Sequence, residues 1–110
     1  MPQFVLVLHR DPSILAKFSP EQMQTALEKY VAWTKKPFTV AATRLTPDVG
    51  KVMRNGGKNI TDGPYSETKE VFGGLYVIEA SDFNQAVERA KDHPHLEYGG
   101  TIEVRQVHQM

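Results

Sequence analysis

Apolar and polar positions change period along this chain, and each change marks an element. Phe4 to His9 is apolar at nearly every position, which at that length reads as a strand. Asp11-Pro12-Ser13 breaks it. A helix follows, with Ser19 as N-cap, Pro20 at the first helical position and Gln22 three residues after the cap. Met23, Ala26, Leu27, Tyr30 and Val31 recur at helical spacing and predict one apolar stripe, with Trp33 just off it. Lys35-Lys36-Pro37 ends the helix. Phe38 to Leu45 reads as a second strand. In the long connection that follows, Lys51 to Met53 and Lys58 to Ile60 form the arms of a small hairpin around a turn at Asn55-Gly56-Gly57. Val71 to Glu79 is a third strand. A second helix starts near Ser81-Asp82, carries Phe83, Ala86, Val87 and Ala90 on one side, and stops before Pro94. Thr101 to His108 closes the chain as a last strand.

The order βαββαβ, with an extra hairpin between the second and third strands, predicts an α+β fold over residues 1–110 as a single domain. It is the ferredoxin-like split βαβ plan, an antiparallel sheet with both helices on one face. Such a sheet should be apolar on one face and polar on the other. Here Phe4, Leu6 and Leu8 point one way, but Val5 and Val7 point the other. Tyr76 and Ile78 likewise oppose Val71, Leu75 and Val77. Burying a Val or Leu is worth roughly 1.5–3 kcal/mol, so five such residues represent on the order of 10 kcal/mol. That rivals the ~5–15 kcal/mol stability of a whole domain. A homodimer joined through this sheet face is therefore expected, with the loop from Thr46 to Pro64 folding over the face as the competing arrangement.

Composition narrows the function. Thirteen basic residues balance thirteen acidic ones, so the chain lacks the positive field that nucleic-acid binding draws on. No apolar run approaches the ~20 residues of a membrane span. The N-terminus has no basic region and a short apolar run, which argues against a signal peptide. Cysteine is absent, which excludes disulfides and thiolate chemistry and fits a cytoplasmic setting. No phosphate-binding loop, dinucleotide fingerprint, nucleophile elbow or zinc-protease motif is present, so no cofactor is expected.

The candidate chemistry gathers around Thr61 to Gly74, where a polar run feeds directly into an apolar strand. Asp62-Gly63-Pro64 is a turn, either alone or with a ligand contact through Asp62. Glu67 and Lys69 project to one side of an extended chain, beside Glu70. Such charges hold a polar ligand or close a salt-bridged strand end. Gly73-Gly74 inside a strand predicts a bulge or a close approach. Glu103 and Arg105 share the side of the last strand that faces away from the helices, free to pair with each other, with Lys69 or Glu70, or with an anionic ligand through Arg105. His9 ends the first strand and His95 lies in the loop after the second helix; both can reach a pocket rim and are the candidate acid–base groups, while His108 is expected in solvent. His93-Pro94-His95 lacks a third ligand, so no metal site is expected.

The run DGPYSETKEVFGGLYVIEA resembles the signature of the YCII-related family, in its DGPF subgroup. Asp62-Gly63-Pro64, Glu67-Thr68-Lys69-Glu70 and Gly73-Gly74 match it, while Tyr65 stands for Phe and Ser66 for Ala. Ile102-Glu103-Val104-Arg105 matches a second segment, with Gln106 in place of proline. The resemblance implies a ferredoxin-like subunit paired as a dimeric α/β barrel. Many members of the broader family join an Asp after the first strand to a His on the first helix. Asp11 fits that pattern, but Pro20 to Thr34 contains no histidine. Two functions remain open. One is a small-molecule site in the barrel cavity, with cofactor-independent acid–base catalysis. The other is a non-catalytic ligand-sensing or partner-binding module whose charges are structural. An enzyme would show an open pocket with convergent polar groups; a module would show closed ion pairs.

Overall fold

The computed structural model describes residues 1–65 and 70–109, so Glu67 and Lys69 lie outside the described residues. Strand β1 is Gln3–Arg10. Asp11 caps the short helix α1, Pro12–Leu15, by accepting from the Ser13 N–H at 2.9 Å. Helix α2 is Pro20–Trp33 and opens with the expected capping box. Gln22 N–H donates to Ser19 Oγ at 3.1 Å, and Ser19 N–H donates to Gln22 Oε1 at 2.8 Å. Strand β2, Thr39–Arg44, leads to the hairpin of β3, Lys51–Arg54, and β4, Asn59–Asp62. Its turn at Asn55-Gly56-Gly57 has three successive positive φ values, 54°, 65° and 85°, which glycine tolerates freely. Strand β5 is Val71–Glu79 and helix α3 is Phe83–Ala90. Helix α4, Pro94–Glu97, precedes strand β6, Thr101–Gln106.

The four long strands form an antiparallel sheet in the order β2-β5-β1-β6, and the hairpin forms a separate two-stranded sheet. The chain is thus a mixed α/β structure with an antiparallel sheet and few helices. One face of the sheet supplies Phe4, Leu6, Leu8, Tyr76 and Ile78 to the core, where they meet Trp33, Ala86 and Ala90. On the opposite face Val5, Val7, Leu75 and Val77 are only half-buried.

Three local expectations change. Val31 is 49% exposed whereas Trp33 is 3% exposed. Met23, Ala26, Tyr30 and Trp33 follow one another at steps of three and four, and Val31 sits about 100° further round the helix than Tyr30. On α3 the buried residues are Ala86 and Ala90, while Phe83 and Val87 stay largely exposed. The small alanines are what that helix turns toward the sheet; Phe83 contributes only an edge contact to Phe4, with ring centres 5.0 Å apart. The last strand stops at Gln106, because its partner β1 offers only one more contact, from Val107 N–H to the Gln3 carbonyl at 2.8 Å.

The glycine pair forms a bulge. Leu8 lies opposite Gly74 but His9 lies opposite Phe72, leaving Gly73 as the extra residue of β5. Gly74 has φ +157°, and a Cβ there would sit 2.6 Å from the Thr43 carbonyl oxygen. Only glycine fits without moving β2.

Candidate functional site

A pocket opens on the helix side of the sheet, at the end where β1 runs into α1. Leu8, Ile14, Met23 and Leu27 give it apolar walls, and Tyr30 and His95 give it a polar end. Its free volume is about 50 Å³, enough for a few waters or the edge of a ring.

His95 reaches this position because Pro94 starts α4 directly under the sheet end. The residue is 5% exposed. Its Nε2 lies 2.7 Å from the backbone carbonyl of His9, and its Nδ1 lies 2.7 Å from the Tyr30 hydroxyl. A carbonyl only accepts, so Nε2 carries the proton and Nδ1 accepts from the Tyr30 O–H. Tyr30 is held in turn by the Tyr76 hydroxyl, which donates to the Tyr30 carbonyl at 2.9 Å. Gly100 leaves room for the imidazole, since a Cβ there would fall 2.2 Å from Nε2.

Burial pushes the His95 pKa below its ordinary value, although the bond to the His9 carbonyl opposes this, and the Arg10 charge adds to the fall. Burial pushes the Tyr30 phenol up to about 12, against the nearby charges of Arg44 and Arg10. At neutral pH the pocket therefore presents a neutral imidazole beside a protonated phenol. Asp11 also lines it, its carboxylate accepting from the Ser13 N–H at 2.9 Å and hydroxyl at 2.8 Å.

His93 lies deeper and is 1% exposed. Its Nδ1 accepts from the His95 N–H at 3.0 Å, which makes it the N-cap of α4. Its ring packs against Trp33 and Tyr76 at 4.6 and 4.5 Å between centres. Its Nε2 has no hydrogen-bond partner among the described residues. Burial, then the neighbouring His95, pushes its pKa down to about 4. These contacts make it a core residue.

A second cluster occupies the other face of the sheet. His9 Nε2–H donates to Glu103 Oε1 at 3.0 Å, and Arg105 reaches the other Glu103 oxygen at 3.4 Å. The His9 contact, with help from Arg105, holds the Glu103 carboxyl below its usual range. The Thr101 hydroxyl donates to Glu70 at 2.7 Å, beside the same edge. His9 and Glu70 border a broad hollow with Phe72, Tyr65 and the loop at Pro47. Asp62 is elsewhere, ion-paired to Lys51 across the hairpin. The structure thus brings His9, Glu70, Glu103 and Arg105 together on one face and puts His95 on the other.

Among the described residues no group of three or more His, Cys, Asp or Glu side chains is placed to hold a metal ion. No described helix is long and apolar enough to cross a membrane.

The YCII-related domain matches residues 3–110. The chain belongs to the YCII-related family. It is also 26% identical, over 96 residues, to an uncharacterized protein of Rhizobium meliloti, covering 81% of this chain and 77% of that one. Its fold is similar to that of 5-chloro-2-hydroxyhydroquinone dehydrochlorinase from Burkholderia phenoliruptrix, solved in complex with 2,5-dihydroxybenzoquinone, at TM-score 0.56 and 11% identity over 100% of this chain and 96% of that one. In this YCII-related protein α2 carries no histidine, yet Asp11 and His95 border one pocket. Tyr30, Arg10 and Arg44 belong to that pocket too, and no sequence motif marks them. Arg10 was visible in principle: it follows Leu8 by two, so it continues the buried side of β1.

Proposed function

We propose that this protein binds a small hydroxylated ring compound in the Tyr30–His95 pocket and transfers a proton on it. The observation that carries this is the hydrogen-bonded chain from Tyr30 through His95 to the His9 carbonyl, ending in an apolar pocket. Environments that push two titratable neighbours in opposite directions leave one as base and one as acid at neutral pH. The Tyr30 O–H passes its proton to His95 Nδ1 as the Tyr30 oxygen takes one from a ligand hydroxyl, and the return of that proton through Tyr30 protonates the ligand at the atom that has gained charge. Such acid–base work needs no cofactor. The similar fold of a dehydrochlorinase captured with 2,5-dihydroxybenzoquinone supports a ring ligand. That compound, titrated calorimetrically, is expected to bind the wild type saturably. Tyr30→Phe and His95→Gln are expected to weaken it about tenfold or more, the loss of a buried hydrogen bond. No binding by any of a panel of hydroxylated rings, or equal binding by all three proteins, would sink the proposal.

The further assembly belongs to the same proposal: a DGPF-type, ferredoxin-like split βαβ subunit whose open sheet faces pair into a dimeric α/β barrel. The strand order β2-β5-β1-β6 and the half-buried Val5, Val7, Leu75 and Val77 support it. Light scattering at micromolar concentration is expected to give the mass of two chains; the mass of one would refute the pairing. The hydrogen-bonded run His9–Glu103–Arg105 favours a structural role for that cluster. A non-catalytic sensing module would keep it and bind ligand without turnover.

A further inference from the structure

We propose that Arg10 and Arg44 make the mouth of the Tyr30–His95 pocket a receptor for the carboxylate of a small aromatic acid. This rests on the pocket proposed above and names the class of its ligand. Leu8 of β1 and Arg44 of β2 both lie opposite Gly74 of β5. Arg10 follows Leu8 by two and shares its side of the sheet. Arg44 follows Ala42 by two, and Ala42 lies opposite the buried Tyr76. The two arginines therefore stand on strands either side of β5, about 10 Å apart on the helix side. Between them Gly73 and Gly74 present bare backbone. A Cβ on Gly73 would lie 3.1 Å from Cδ and Nε of Arg10, so the glycine is what lets that side chain lie flat.

The other three arginines are engaged. Arg54 donates to the Tyr65 carbonyl, Arg89 to the Glu79 carbonyl, and Arg105 to Glu103. Among the described residues, no hydrogen bond or ion pair holds Arg10 or Arg44. Both line the pocket that Tyr30 and His95 close at its polar end. Of the acids nearby, Asp11 accepts from Ser13 and Glu70 accepts from Thr101. Two like charges facing one apolar mouth repel, and an anion between them removes that cost. A planar carboxylate matches the guanidinium fork, and the ring behind it meets the apolar wall.

The test compares para-hydroxybenzoate with its uncharged isostere para-hydroxybenzamide, titrated into wild type, Arg10→Gln and Arg44→Gln. The wild type is expected to prefer the acid by about tenfold or more, and each variant to lose most of that preference. The acid is also expected to shift the Arg10 and Arg44 side-chain Nε–H resonances in NMR spectra. Equal affinity for acid and amide overturns the acid receptor and leaves the pocket standing. An acid preference that survives both substitutions overturns the role of the arginines. If 2,5-dihydroxybenzoquinone binds and neither benzoyl compound does, the aromatic acid is the wrong class. If none of the three binds, pocket and receptor fall together.

Discussion

Trp33→Ala is expected to lower stability by about 3–5 kcal/mol and the melting temperature by roughly 10–20 °C. Trp33 is 3% exposed and touches Phe38 and Tyr76 edge-on, each 5.4 Å between ring centres, with His93 at 4.6 Å. Alanine would leave a cavity where these rings converge. It would also strip a partner from Asp92, which accepts the Trp33 indole N–H at 3.0 Å and the Lys36 ammonium at 2.9 Å. The Trp33 bond, then the Lys36 bond, holds the Asp92 pKa down. Val31→Ala, at a site 49% exposed, is expected to stay within about 0.5 kcal/mol. Urea unfolding of both variants checks the pair. A loss below about 1 kcal/mol for Trp33→Ala, or equal losses for the two, would contradict this packing.

Stability is expected to fall by about 3 kcal/mol between neutral pH and pH ~4 through His93 alone. Its folded pKa is about 4, against 6.5 for an ordinary histidine. Above pH ~6.5 both folded and unfolded chains carry it neutral, and it adds no pH dependence. As pH drops from there, the unfolded chain takes up a proton that the packed imidazole refuses, so unfolding is favoured. The loss is nearly complete at the folded pKa and levels off below it. His95 is shifted in the same direction and adds to the slope. Paired carboxylates such as Asp92 titrate below the usual carboxylate range, so their contribution falls at lower pH. His93→Asn keeps an acceptor for the α4 N-cap without a titrating group. Its stability, measured by urea unfolding across this range, is expected to change less steeply with pH than that of the wild type. An unchanged slope would mean that His93 is not the group responsible.

Strand faces were legible because a two-residue period either buries a side chain or does not. Phe4, Leu6 and Leu8 against Val5 and Val7 is such a case. The start of α2 was legible for a local reason: Ser19 and Gln22 are three apart and cap each other. The stripe Met23, Ala26, Leu27 and Tyr30 was legible too, but which residue of the last turn of α2 faces inward was not. Val31 and Trp33 differ in angle by two residues, and only the rings of Phe38, Tyr76 and His93 decide between them. Candidate chemistry was harder still. Tyr30 and His95 are 65 positions apart, and α4, at four residues, is too short to show a period. The approach of Arg10 to Arg44 depends on two strand registers across β5 and on a bulge. Position at a strand end and in the loop after the second helix singled out His9 and His95 together, yet their side chains lie on opposite sides of the sheet.

The bond from His95 Nε2 ends on a main-chain oxygen. Residue 9 therefore lends its carbonyl to one face and its imidazole to the other. No replacement of the side chain removes the carbonyl, so the tautomer of His95 is independent of which amino acid stands at position 9. The two faces are genetically separable at a single codon: varying it edits the hydrogen bond with Glu103 and leaves the proton on Nε2 where it is.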